Sequence, residues 1–220
     1  MEATVGNQPD VYARGGRLPR SARRAQLLEA AQAVFADSGY HAASMDEIAV
    51  RASVSKPVLY QHFPGKLDLY LALIDRHTEE VPRRVREALS ATHDNAERLG
   101  AATSAFFEFV DGDDGAFRLV FESDLIDEPA VRHRVRQMDS ECAAMVAEVI
   151  AEDTGLPQVQ AQVLGTALVG MAQVVARDWL HQEPATRMSR AEAEGLVIAL
   201  GWRGLAGLPL TGEHAELPTE

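Results

Sequence analysis

Cysteine is nearly absent from the sequence. The one thiol, Cys142, excludes a disulfide framework and a Cys-rich zinc site, and fits a reducing compartment. Nowhere do 18 consecutive apolar residues occur, and the first thirty residues hold no apolar segment of the signal-peptide kind. No membrane partner is expected, and a cytoplasmic location is. The seven histidines are scattered, none paired with another at ligand spacing, so neither a metal nor a cofactor is expected. A nucleophile elbow, a phosphate-cradling glycine loop and paired carboxylates with a base are all missing. Gly112 and Gly115 lack the context of a P-loop, and catalysis is not expected. Basic charge is short as well: 21 Lys and Arg face 33 Asp and Glu, a net charge of −12. That balance argues against binding nucleic acid over the whole surface, because phosphates are neutralised by Lys and Arg.

What is present is an ordinary globular composition, 46% hydrophobic and 25% charged over 220 residues, enough for one or two domains with a real core. The charge is unevenly placed. Residues 11–76 carry nine basic and six acidic side chains, a net of +3, whereas residues 77–220 carry −13. A small basic unit precedes an acidic body, which suggests two tasks on one chain.

No β-alternation, hairpin signal or internal repeat is found, and apolar residues recur at helical spacing. The chain reads as all-α with about nine helices. Residues 1–20 read as a flexible arm bearing Arg14, Arg17 and Arg20. Leu27, Leu28, Ala31, Val34 and Phe35 mark a first helix closed by Gly39. Ser44 and Glu47 form a capping pattern for a short helix, and Ser55-Lys56-Pro57 opens a second that stops at Pro64-Gly65. A long helix from Leu67 to about Ser90 contains Pro82, which is expected to kink or split it. Asp94 and Glu97 cap a Phe-rich helix, and a short helix bears Phe117, Val120 and Phe121. Another runs from Val131 to about Asp153, and an apolar stretch continues to His181. Ser189 and Glu192 cap a last helix to about Leu205. The domains expected are 21–66 and 67–206, with a flexible tail over 207–220.

Two short helices joined by a tight turn have the proportions of a helix-turn-helix, with Ile48, Ala49, Ala52, Val54 and Leu59 where they cross. The remaining faces hold Ser44, Lys56, Pro57, Val58, Tyr60, Gln61 and His62, donors, acceptors and apolar tips suited to phosphates and base edges. On spacing alone an ordinary helical hairpin stays open. The string Val-Ser-Lys-Pro-Val-Leu-Tyr-Gln-His-Phe at 54–63, with Phe35 and Ser38-Gly39-Tyr40 before it, resembles the DNA-binding domain of TetR-family transcriptional regulators. The likeness covers roughly residues 21–75, with Ser53 standing where the family commonly has Gly.

The resemblance implies a three-helix DNA-binding domain followed by a helical ligand-binding and dimerisation domain. It further implies a homodimer joined through its last two helices on a double-stranded, palindromic operator. Ser44 and Lys66 would hold phosphates, Lys56, Pro57, Val58 and Tyr60 would face bases, and Gln61 and His62 would lie nearer the backbone. The function implied is a ligand-responsive repressor released by an unknown small apolar or amphipathic effector. The alternative is a ligand-independent regulator whose body only dimerises or binds a protein. Gly165, Ala167, Gly170, Ala172 and Ala176 suit close helix approach, and Leu196 and Leu200 add apolar area to an interface. Candidate effector contacts are Phe106, Phe109, Phe117, Phe121, Met138, Cys142, Met171 and Trp179, with Glu122 and Gln173 as polar anchors. Each of these also suits plain core. Pro82 is the expected pivot of the long helix acting as a lever.

Overall fold

The computed structural model describes residues 18–112, 115–125 and 127–205. Arg14, Arg17 and the 207–220 tail lie outside them. Among the described residues there are nine helices and no strand: α1 (Arg20–Ala42), α2 (Met45–Arg51), α3 (Lys56–His62), α4 (Lys66–Ser90), α5 (Asn95–Val110), α6 (Ala116–Phe121), α7 (Pro129–Thr154), α8 (Gln158–His181) and α9 (Arg190–Leu205).

The helix starts follow from local hydrogen bonding. Ser44 Oγ accepts the Glu47 N–H at 3.1 Å and Asp94 Oδ1 accepts the Glu97 N–H at 2.9 Å, supplying orphan donors of α2 and α5 with acceptors. Before α9 the pairing is reciprocal: Ser189 N–H donates to Glu192 at 2.9 Å, and Glu192 N–H donates to Ser189 Oγ at 3.3 Å. Gly39 has φ +75°, outside helical geometry, so the chain turns there although α1 extends to Ala42. Pro82 does not split α4. Pro82 is buried, as are Val81 and Val85, and burial in the core outweighs the one helical hydrogen bond that proline removes.

Helices α1–α3 form a head built on Leu27, Ala31, Val34, Ile48 and Leu59. Gln26 Nε2 donates to the Ala52 carbonyl at 2.9 Å, tying the turn between α2 and α3 back to α1. In the body α7 packs on α8, α4 on α5 and α7, and α5 on α8 and α9. The approach of α7 to α8 needs Gly165, where a Cβ would lie 2.4 Å from the Ala143 carbonyl oxygen. The main apolar cluster runs from α1 to α9, so head and body are mechanically joined, and a smaller one of Ala147, Ile150 and Ala161 lies between α7 and α8.

Candidate nucleic-acid interface and effector cavity

The helix-turn-helix closes over Ile48, Ala49, Ala52 and Leu59, all buried. Its turn requires a left-handed residue, and Ser53 takes φ +53°. An L-residue there costs roughly 1–2 kcal/mol relative to the right-handed form, a strain glycine would not carry.

On the outer side α3 presents Lys56, Pro57, Gln61 and Tyr60, which is 41% exposed, while Val58 and His62 are half-buried. Ser44 is exposed and uses its oxygen on α2, so its hydroxyl hydrogen is available to a phosphate. Lys56 is already paired: Nζ lies 2.6 Å from Asp46 Oδ1, which raises its pKa. Reading a base edge means exchanging Asp46 for the new acceptor. Arg20, Arg24 and Arg23 surround His62, whose pKa is lowered first by desolvation and then by these three charges. Arg24 also stacks over the Phe63 ring at 4.4 Å. Positive charge thus gathers where the start of α1 meets the end of α3.

Lys66 departs from the expected phosphate role. Its ammonium donates to the carbonyls of Tyr40 (2.8 Å), His41 (3.2 Å) and Ala43 (2.8 Å) and lies 4.6 Å from the centre of the Tyr40 ring. All three hydrogens serve the end of α1, leaving none for a phosphate in this arrangement.

The body contains two apolar hollows that share Leu99, Ala102, Val146 and Leu168. The inner one, about 40 Å³, reaches Val81, Val85, Phe106, Cys142 and Gln173. The outer one, about 300 Å³, ends at Asn95, Arg98, Asp153 and Trp202. Gln173 Nε2 donates to Asp139 Oδ1 at 2.5 Å, and burial raises the Asp139 pKa against the pull of that bond. Burial, with Asp139 and Glu141 nearby, pushes the Cys142 thiol up to about 12, so it stays protonated and is a poor nucleophile.

Of the ten candidate effector contacts, Phe106, Cys142 and Gln173 line these hollows. Phe117 and Glu122 instead line an open cleft beside α1. Phe109 and Met138 are buried core, and Phe121 and Met171 pack against it. Trp179 is buried, its Nε1 donating to the Met188 carbonyl at 2.9 Å.

Residues 27–73 match the family model for bacterial regulatory proteins of the tetR family. Over 199 residues the chain is 47% identical to the HTH-type transcriptional activator FasR of Mycolicibacterium smegmatis, covering 90% of each chain. The chain belongs to the tetR family. It is therefore a DNA-binding transcriptional regulator, and α2–α3 is its helix-turn-helix. A TetR-like regulator from Rhodococcus sp. RHA1 superposes with a TM-score of 0.68 at 29% identity, over 87% of this chain and 100% of that one. FadR of Bacillus subtilis, solved with stearoyl-CoA, shares the fold with a TM-score of 0.65 at 18% identity, over 86% of this chain and 99% of that one.

For a TetR-family head, sequence reasoning missed Asp46, Arg23 and Arg24. The two arginines precede the apolar run of α1 and carried a readable charge signal. Asp46 acquires its role only when α2 brings it to Lys56. In the body it missed Val81, Val85, Leu99, Ala102, Val146 and Leu168, aliphatics that look like any core.

Proposed function

We propose that the chain acts as a homodimer on a palindromic operator. Lys56, Pro57, Val58 and Tyr60 face bases, while Ser44, Gln61, His62 and the Arg20–Arg23–Arg24 group hold phosphates. An amphipathic effector with a long acyl chain occupies the body cavity and sets DNA affinity. The operator places this work in the cytoplasm.

The observation that carries the coupling is a continuous contact path from cavity to head. Phe106 walls the cavity and meets Phe121 of α6 edge-on, with ring centres 6.2 Å apart. The Leu119 carbonyl of α6 accepts the Tyr70 hydroxyl at 2.7 Å, and Tyr70 also bonds Ser123. Tyr70 packs edge-on against Phe35 at 5.3 Å and Tyr40 at 5.2 Å, both in α1. Bulk that displaces Phe106 therefore shifts α6 and, through Tyr70, the head. The effect is limited to the ligand's difference in affinity between the two arrangements. The stearoyl-CoA complex of a protein sharing this fold supports an acyl effector. The relative's name as an activator favours activation over the repression implied by family resemblance.

The dimer reading rests on uncovered apolar surface. Val159, Val163 and Val174 of α8 and Leu196 and Leu200 of α9 are exposed. A Cβ at Gly170 or Gly195 would meet nothing within 4 Å, so these glycines leave room for something outside the chain. Helix α8 is long and apolar enough to cross a membrane, yet it packs against α5, α7 and α9. A second copy covers that face in the proposed dimer.

The test is to select genomic fragments with the purified protein, then titrate stearoyl-CoA against the bound site. An inverted repeat should emerge, with recognition helices about 34–36 Å apart. Stearoyl-CoA, and not free CoA, should change its affinity by about tenfold. Failure to bind any palindrome at low salt, where electrostatics is strongest, sinks the operator reading. An affinity indifferent to acyl-CoA sinks the effector reading. Run-off transcription fixes the sign of regulation.

A further inference from the structure

We propose that Asp46 and Lys56 act as one base-reading unit that takes a G·C pair in the major groove. Lys56 donates to the guanine, and Asp46 accepts from the cytosine amino group. This role rests on the placement of α3 against bases.

A carboxylate on the outer side of α2 calls for a reason, because it repels the phosphates that a DNA-binding head has to approach. Capping does not supply one, since Ser44 Oγ accepts the Glu47 N–H at the start of α2. Met45, Ile48 and Ala49 are buried, whereas Asp46 is exposed. Its carboxylate crosses to α3 and meets Lys56 Nζ at 2.6 Å, with 67% of the Asp46 and 55% of the Lys56 side chain exposed. An ion pair so open to water holds weakly, so DNA can part it. What then satisfies each half decides the selectivity. A phosphate gives Lys56 an acceptor and leaves Asp46 facing a second anion. A base pair can serve both. In G·C the guanine O6 accepts and the cytosine N4 donates, and these two atoms are themselves hydrogen-bonded about 2.9 Å apart. That spacing is close to the one between Oδ1 and Nζ, so donor meets acceptor twice when Asp46 and Lys56 turn from each other to the groove. Guanine adds N7 beside O6, which suits an ammonium with three hydrogens. An A·T pair also sets a donor beside an acceptor. Its acceptors, however, stand singly on either side of the donor, and the thymine methyl crowds O4. Asp46 thus opposes the use of Lys56 on phosphates and on wrong pairs, and the head gains selectivity at the expense of affinity for any DNA.

Selection from randomised duplexes by the full chain, followed by fluorescence anisotropy on the selected operator, tests this. Wild type should require a G·C pair at one position of each half-site. N4-methylcytosine there keeps the pairing and blocks the amino hydrogen that faces the groove, and it should weaken binding by about tenfold. Asp46→Ala should be indifferent to that methyl group, accept other pairs at the position and bind a scrambled duplex several-fold more tightly. Lys56→Gln should relax the same position. Thermal melts check that each variant is folded, and the methylated operator tests the role on the unaltered protein. Unchanged preferences in Asp46→Ala overturn the proposal while the operator reading stands. So does a wild type that tolerates N4-methylcytosine throughout the site, and so do variants that relax different base pairs. A wild type that selects no sequence at all overturns both.

Discussion

At Lys66 three ammonium hydrogens meet three carbonyls at the end of α1, where a helix leaves acceptors unsatisfied and favours a cation. Lys66→Met keeps the aliphatic stem and strands those acceptors. The expected cost is about 1.5–3 kcal/mol, lowering Tm by roughly 3–12 °C by calorimetry. The salt dependence of operator binding should stay as in wild type. A drop in its slope by about one would restore the phosphate role. His62 yields a pH prediction of two opposite signs. Burial and Arg20, Arg24 and Arg23 lower its pKa below the ordinary 6.5, so the free protein holds it neutral at pH 7. Fold stability therefore falls as pH drops below 6.5, the loss being complete below the lowered folded-state value. Phosphates nearby favour the protonated ring, so operator affinity should rise over the same descent. Fluorescence anisotropy from pH 7.5 to 6 checks this, and His62→Gln should flatten the dependence. The division of α3 into an exposed face and core positions was legible because polar tips and apolar residues alternate within ten residues. The jobs of Lys66 and Lys56 were not, since their partners come from other helices, 23 to 26 residues away for Lys66.

Among the elements, the α7–α8 pair and the α4–α6 link set the mechanical properties of the body. At Gly165 an added Cβ would sit 2.4 Å from the Ala143 oxygen and 3.1 Å from the Ala147 nitrogen, both backbone atoms that cannot rotate away. Gly165→Ala should destabilise by about 1–3 kcal/mol through forced separation of the helices, despite alanine's better helix propensity. Unfolding in urea checks the sign, and a stabilised variant would mean the pair relaxes freely. Tyr70 tests the link. Its phenol, pushed up to about 12 by burial, stays a neutral donor at any working pH. Tyr70→Phe should cost about 1 kcal/mol of stability. It should leave effector affinity and unliganded operator affinity nearly intact while reducing the coupling between them. Undiminished coupling would exclude this route. All nine helices were legible from apolar spacing and caps, including the Asp94 and Ser189 starts. The cavity was not: Leu99 and Val146 become a lining only because α5 and α7 fail to close completely above them, a property of packing that no residue type announces.

Across the whole molecule, the division between a basic head region and an acidic body determines where DNA can approach. The body repels phosphate, confining contact to the head, and one head offers one short helix. Two heads fixed in register convert the second contact into an intramolecular one, which raises avidity by about 10²–10⁴ without new contacts. The apolar faces of α8 and α9 are what would fix that register. Val163 and Leu200 are each 66% exposed in the single chain, a poor position for large aliphatics unless a partner covers them. Val163→Glu/Leu200→Glu places carboxylates in the proposed seam, where burying an unpaired charge opposes association. Neither side chain belongs to the core, so each chain should stay folded by circular dichroism. Sedimentation should then report a monomer, and operator affinity should fall by about 10²–10⁴. Weak binding to an isolated half-site should survive. A folded variant that still sediments as a dimer would place the interface on another face. A monomer that keeps full operator affinity would show that one head suffices, and the palindrome would lose its physical basis.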